Sequence, residues 1–211
     1  MPWLLGLYFA IETHALLFLL AVCAGGGLLA GPFFAALTDL LFRALRDEWF
    51  SWGDAWSRAL RRNARESLAP GVLCCTLYGI QFFALGHLEP GGAALNMLAL
   101  LMAVLLVVTA LALWLWPQVV LFSMPLPMLL KNTPLLVFSH LGRTFAATAV
   151  SLVYMGAVLL LAPVSFLALP VLNLWLPLSA AWYILYKPLE KTFDLESSIR
   201  ALHESRHPTD N

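Results

Sequence analysis

Residues 93–116 read AALNMLALLMAVLLVVTALALWLW, with no charged side chain among them. Coiled as a helix at 1.5 Å per residue, such a stretch reaches about 36 Å, enough to cross a hydrocarbon layer about 30 Å thick. Three further uncharged runs of comparable length follow the same rule, at 68–88, 144–162 and 164–186. The whole chain is 61% apolar and 11% charged, with a mean hydropathy of +0.83. Soluble domains run near a quarter charged and just under half apolar, so this composition belongs in a bilayer. Within lipid each backbone amide needs an internal partner, and uncharged runs of this length satisfy that as helices. The expected fold is an all-α polytopic transmembrane helix bundle. Twelve Lys and Arg balance twelve Asp and Glu, which leaves no basic footprint for nucleic acid. Cys23, Cys74 and Cys75 lie in apolar runs and cannot build a disulfide framework. They read as small membrane-buried side chains, with a reactive thiol as the alternative.

All twelve cations fall in three clusters, Arg43 to Arg65, Lys131 to Arg143 and Lys187 to Arg206. The turns at 87–92 and near Pro163 carry no Lys or Arg. Cation-rich loops stay in the cytoplasm, so the clusters are expected inside and the two turns outside. Residues 1–42 hold neither Lys nor Arg, and as one straight helix they would measure about 60 Å, twice the hydrocarbon thickness. A break is easiest at Gly25 to Gly27 and at Gly31-Pro32, where glycine adds freedom and proline removes a donor. One crossing gives five spans, at about 14–42, 68–88, 93–116, 144–162 and 164–186, with the N-terminus outside and the C-terminus cytoplasmic. A hairpin at the glycines would give six. One crossing is expected, because a lipid-facing hairpin strands backbone groups. The bundle would then occupy 1–188 and a cytoplasmic tail 189–211. A cleaved signal peptide is not expected, since no basic segment precedes the first apolar run. Neither repeats nor an inverted pair of broken helices are evident, which argues against a complete secondary transporter.

Between the first two spans, residues 49–66 project as an amphipathic helix, placed at 51–65. Trp49, Trp52, Trp56, Ala59 and Leu60 gather on one side; Asp54, Arg58, Arg61, Arg62 and Arg65 gather on the other. Ser51 with Asp54 marks its start, and Asp54 has Arg58 one turn on. An interfacial helix of this composition suits anionic lipid headgroups or the acidic surface of a partner. The docking candidates are therefore Trp52, Trp56, Arg58, Arg61, Arg62 and Arg65, and the plainer reading is an anchor for the loop.

Ionisable groups inside a span are costly and invite a functional reading. Glu12 and His14 point to different faces and read as snorkelling to the outer headgroups. Asp39 lies one turn before Arg43 and is expected to pair with it. Gln81, Asn96, Gln118, Ser123 and Asn173 are expected to bond between helices. A solute path, if present, would use Gln81, Asn96 and Asn173. Prolines at 117, 125, 127, 134, 163, 170 and 177 would kink or pack the later helices. No phosphate loop, zinc-binding His or Cys spacing, or nucleophile elbow occurs, so neither an enzyme nor a cofactor or metal site is expected. His203 and His207, one turn apart, read as part of a frayed terminus. Leu195, Ile199 and Leu202 set a short amphipathic helix in the tail.

Gly31-Pro32 with Ala35-Ala36-Leu37, then Trp52, Asp54, Ala55, Trp56, Arg58, Ala59 and the Arg62-Asn63 step, resemble the YesL family of small bacterial membrane proteins. That family carries a G-P-x-x-A-A pattern in its first helix, followed by an aromatic and acidic helix that ends in a basic-Asn step. The likeness covers about the first 90 residues; beyond them only hydropathy agrees. The chain departs where Glu12-Thr13-His14 stands in place of the family's Asn and Trp. The resemblance implies a non-enzymatic protein of the bacterial cytoplasmic membrane, an accessory or interaction subunit of a carbohydrate uptake complex. Under it, Gly31 and Pro32 set a kink in the first helix and the Trp/Arg helix faces a larger assembly. The alternative is a small-solute permease component, such as the membrane subunit of an ABC-type transporter.

Overall fold

The computed structural model describes residues 16–88, 94–122, 124–160 and 175–193, in two units, Met1–Ser139 and His140–Asn211. In the first unit the helices are α1 (Leu16–Leu45), α2 (Trp52–Gly86), α3 (Ala94–Phe122) and α4 (Leu126–Ser139). The second holds α5 (Leu141–Leu160) and α6 (Trp175–Phe193). Among the described residues four stretches are long and apolar enough to cross a membrane: Leu16–Leu45, Trp52–Gly86, Leu95–Phe122 and Leu141–Val158. The chain is an all-α bundle with the character of a membrane protein.

α1 corrects the expected break. Its 30 residues are helical through Gly25, Gly26, Gly27, Gly31 and Pro32 alike, so the six-span hairpin does not form. The reason is tertiary. A Cβ added at Gly27 would stand 2.5 Å from Val72 Cα, and one at Gly31 would stand 2.5 Å from the Ser67 carbonyl oxygen. From α2, a Cβ on Gly71 would meet the Gly27 carbonyl oxygen at 2.5 Å. These glycines are small so that two backbones can touch, which is how helices pair inside lipid. Gly25 faces open space.

α2 carries a second correction: the expected interfacial helix at 51–65 and the span at 68–88 are one helix of 35 residues. Residues Ala64-Arg65-Glu66-Ser67-Leu68-Ala69 include no helix breaker, so the change in polarity there marks a change of solvent, not a helix end. Pro70 is accommodated inside the helix on its buried side. At about 52 Å, α2 outreaches the hydrocarbon by some 20 Å. Ser51 is the N-cap residue, but its side chain makes no capping bond.

The two helices form an antiparallel hairpin. Buried positions recur every fourth residue, at Leu19, Cys23, Gly27, Gly31 and Ala35 on α1, and at Ala55, Ala59, Asn63, Ser67 and Gly71 on α2. The turn between them closes by a Schellman arrangement: Asp47 N–H donates to the Ala44 carbonyl at 3.2 Å and Glu48 N–H to the Arg43 carbonyl at 3.1 Å. This geometry needs a left-handed residue at its centre, and Asp47, with φ of 54°, supplies it.

Packing is densest at the cation-bearing end. All residues from Leu113 to Val120 on α3 and from Thr38 to Phe42 on α1 are buried, so at that level each helix is enclosed on every side. Phe34 meets Trp116 with ring centroids 4.8 Å apart. Near the other end of α3, residues 95–100 are all exposed, as befits a surface left to acyl chains. Tyr78 Oη donates to Thr109 Oγ1 at 3.2 Å, joining α2 to α3.

α4, inside the second cation cluster, is an element that the hydropathy reading passes over. Its 14 residues reach about 21 Å, too short to cross. Leu129, Thr133 and Leu136 are buried, whereas Met128, Leu130, Leu135 and Phe138 are exposed around an exposed Lys131. In the second unit, α5 packs on α6, with Thr144, Ala147 and Thr148 buried on one and Leu178, Ala181, Trp182, Leu185 and Leu189 on the other. The span expected at 164–186 lies partly outside the described residues. Its described part belongs to α6, which continues through Lys187 and Pro188 to Phe193, so the tail begins later than 189.

Candidate functional site at the cation-bearing end of the hairpin

Asp39 is 3% exposed in the midst of that packed end. A carboxylate there needs partners, because the cost of drying a charge exceeds the gain from a single poor contact. It has two. Arg43 Nε donates to Oδ2 at 3.2 Å, the pair expected from the one-turn spacing, and Arg62 Nη2 donates to Oδ1 at 2.8 Å from across the hairpin. Arg43 Nη1 also donates to Glu48 Oε2 at 3.3 Å, and Arg46 Nη2 meets Glu48 Oε1 at 2.8 Å. Arg62 Nε lies 3.5 Å from Asn63 Oδ1. Asn63 is 1% exposed, and its Nδ2 has no hydrogen-bond partner among the described residues. The network thus ties the C-terminal end of α1 to the N-terminal half of α2 and to the turn between them.

The expected docking residues divide accordingly. Arg58, Arg61 and Arg65 are exposed and enter no ion pair among the described residues. Asp54, one turn before Arg58, does not pair with it there. Arg62 is corrected: half its side chain is exposed, yet its guanidinium is committed to Asp39. Trp56 is half-buried, 6.1 Å from Phe33. Trp52 is 60% exposed and meets Phe50 edge-on at 6.0 Å, and Trp49 is fully exposed.

The expected solute path does not assemble among the described residues. Gln81 is buried with its Oε1 unpartnered, Asn96 is exposed, and no hydrogen bond joins them. Asn173 lies outside the described residues, as do Glu12, His14, Ser123, His203, His207 and the tail helix. Gln118 takes the interhelical role expected of it, donating to Thr133 Oγ1 at 3.0 Å and to the Trp114 carbonyl at 2.9 Å. The Asp39–Arg62 bond was missed by the one-turn rule, since 23 residues separate the partners. Its trace is that both lie within three helical turns of the loop that joins the two helices. Among the described residues no three His, Cys, Asp or Glu side chains could hold a metal ion.

The residues quoted for the resemblance to the YesL family divide, with Trp52, Asp54 and Arg58 exposed. Gly31, Ala35 and Ala36 on α1 are buried, as are Ala55, Ala59 and Asn63 on α2. They are the contact surface of the hairpin, and the basic residue of the Arg62-Asn63 step clasps Asp39. No protein-family model, curated protein or solved structure matches the chain.

Proposed function

We propose that this chain is a multi-pass protein of the bacterial cytoplasmic membrane, of YesL type, acting without catalysis as an accessory or interaction subunit of a carbohydrate uptake complex. Its N-terminus lies outside and its C-terminus in the cytoplasm. The observation that carries the reading is the hairpin: Gly31, Ala35, Ala55, Ala59 and Asn63 are buried along its contact stripe, while Arg58, Arg61 and Arg65 on α2 are left to the outside. Buried small residues on both helices specify a shape, and a shape that presents three arginines outside any ion pair of its own is what an interaction subunit needs. Support for membrane residence comes from the four long apolar helices, and the cation clusters orient the chain by the positive-inside rule.

Purification in mild detergent followed by mass spectrometry tests the proposal. Membrane or nucleotide-binding subunits of a sugar transporter should co-purify with the wild type and diminish when Arg58, Arg61 and Arg65 are changed to Ala. Recovery of the wild-type chain alone, under conditions that preserve other membrane complexes, contradicts it.

A further inference from the structure

The outer face of α2 admits a narrower statement. Six arginines lie between residues 43 and 65. Arg43, Arg46 and Arg62 are each paired within the fold, with Asp39 or Glu48. Arg58, Arg61 and Arg65 are not, and at spacings of three and four residues they form one row. The row lies on a different face of the helix from the buried Ala55, Ala59 and Asn63. We infer that this row is a docking site for the acidic surface of a soluble protein, not for lipid.

Two points of geometry favour protein over headgroups. Because α2 continues unbroken into its apolar half, the row climbs about 10 Å along a crossing helix, whereas one headgroup layer is about 5–7 Å deep. Helical side chains also lean toward the N-terminus, which on α2 is the direction away from the apolar half. With Arg65 set at the lipid boundary, Arg58 would rise past the reach of phosphate. Three exposed guanidinium groups that outnumber the single acid on their face, Asp54, and enter no ion pair among the described residues complement carboxylates on a partner, with a salt-sensitive association. The tryptophans lie on another side of the helix and are not included.

The inference rests on the accessory-subunit reading, but its test is separate. The wild-type protein is placed in nanodiscs of phosphatidylcholine, with or without phosphatidylglycerol, and treated with phenylglyoxal, the modification of each arginine being read by mass spectrometry. Polyglutamate serves as the acidic probe. It should slow modification of Arg58, Arg61 and Arg65 by about tenfold, leave the exposed Arg143 unaffected, and lose its effect at Arg61 in the R58E/R65E variant, while phosphatidylglycerol alone leaves Arg58 unprotected. Protection of Arg58 by phosphatidylglycerol would make the row a lipid site and overturn the inference. So would the absence of polyglutamate protection, or equal protection of Arg143. If those failures occur while transporter subunits still co-purify, the accessory reading stands and its partner sits elsewhere.

Discussion

Asp39 holds two arginines, so losing one is not the same as losing both. Arg62 is half exposed, and Arg62→Ala should cost no more than about 1 kcal/mol, because Arg43 remains on the carboxylate. The double variant Arg43→Ala/Arg62→Ala strands a buried charge and should cost about 3–5 kcal/mol. Thermal unfolding in detergent, comparing both single variants with the double, checks the non-additivity. The i,i+4 half of this cluster was legible in the sequence because helix geometry alone places Asp39 beside Arg43. The other half was not, because only the pairing of α1 with α2 decides which residue meets Asp39. Asp47 was illegible for a related reason: an acidic residue in a charged loop gives no sign that it will take a left-handed backbone. Asp47→Gly should stabilise the turn by up to about 1 kcal/mol, read as a raised Tm, because glycine enters that conformation without a steric penalty.

At the scale of elements, glycine was read as freedom and turned out to be closeness. A break at Gly31-Pro32 was expected from the length of the first apolar stretch, yet packing against Ser67 and Gly71 keeps α1 whole. Gly31→Ala should therefore destabilise by about 1–3 kcal/mol, since its new methyl meets backbone that cannot yield. Gly25→Ala, with nothing within 4 Å, should be neutral or stabilising by up to about 1 kcal/mol through helix propensity. Equal losses at both positions, in the same unfolding assay, would mean that the glycines serve conformation and not contact. α2 shows the same limit from another side. Hydropathy located its apolar half well, but a charged run was taken as a separate helix, because composition reports the solvent around a helix and not where it stops. Trp114, wholly buried on α3, belongs to the enclosed section of the bundle. Trp114→Ala should cost about 3–5 kcal/mol, measured by denaturation, and more than any lipid-facing substitution on residues 95–100.

For the whole molecule, the all-α class and the apolar helices followed from charge placement, because expelling Lys and Arg from 20-residue runs is the strongest constraint that a bilayer imposes. Packing at the cation-bearing end, with α4 folded into a supposed loop, did not follow, since it depends on side chains meeting across helices. The central proposal is that every cation cluster lies on one flank of the membrane, which would put Arg61 and Lys191 both in the cytoplasm. The direct measurement is labelling with a membrane-impermeant maleimide at Arg61→Cys and Lys191→Cys, both positions being exposed, in intact cells and in inverted vesicles. Both should react only in inverted vesicles. Reaction of one from the outside and the other from the inside would contradict the orientation and the cytoplasmic docking face built on it.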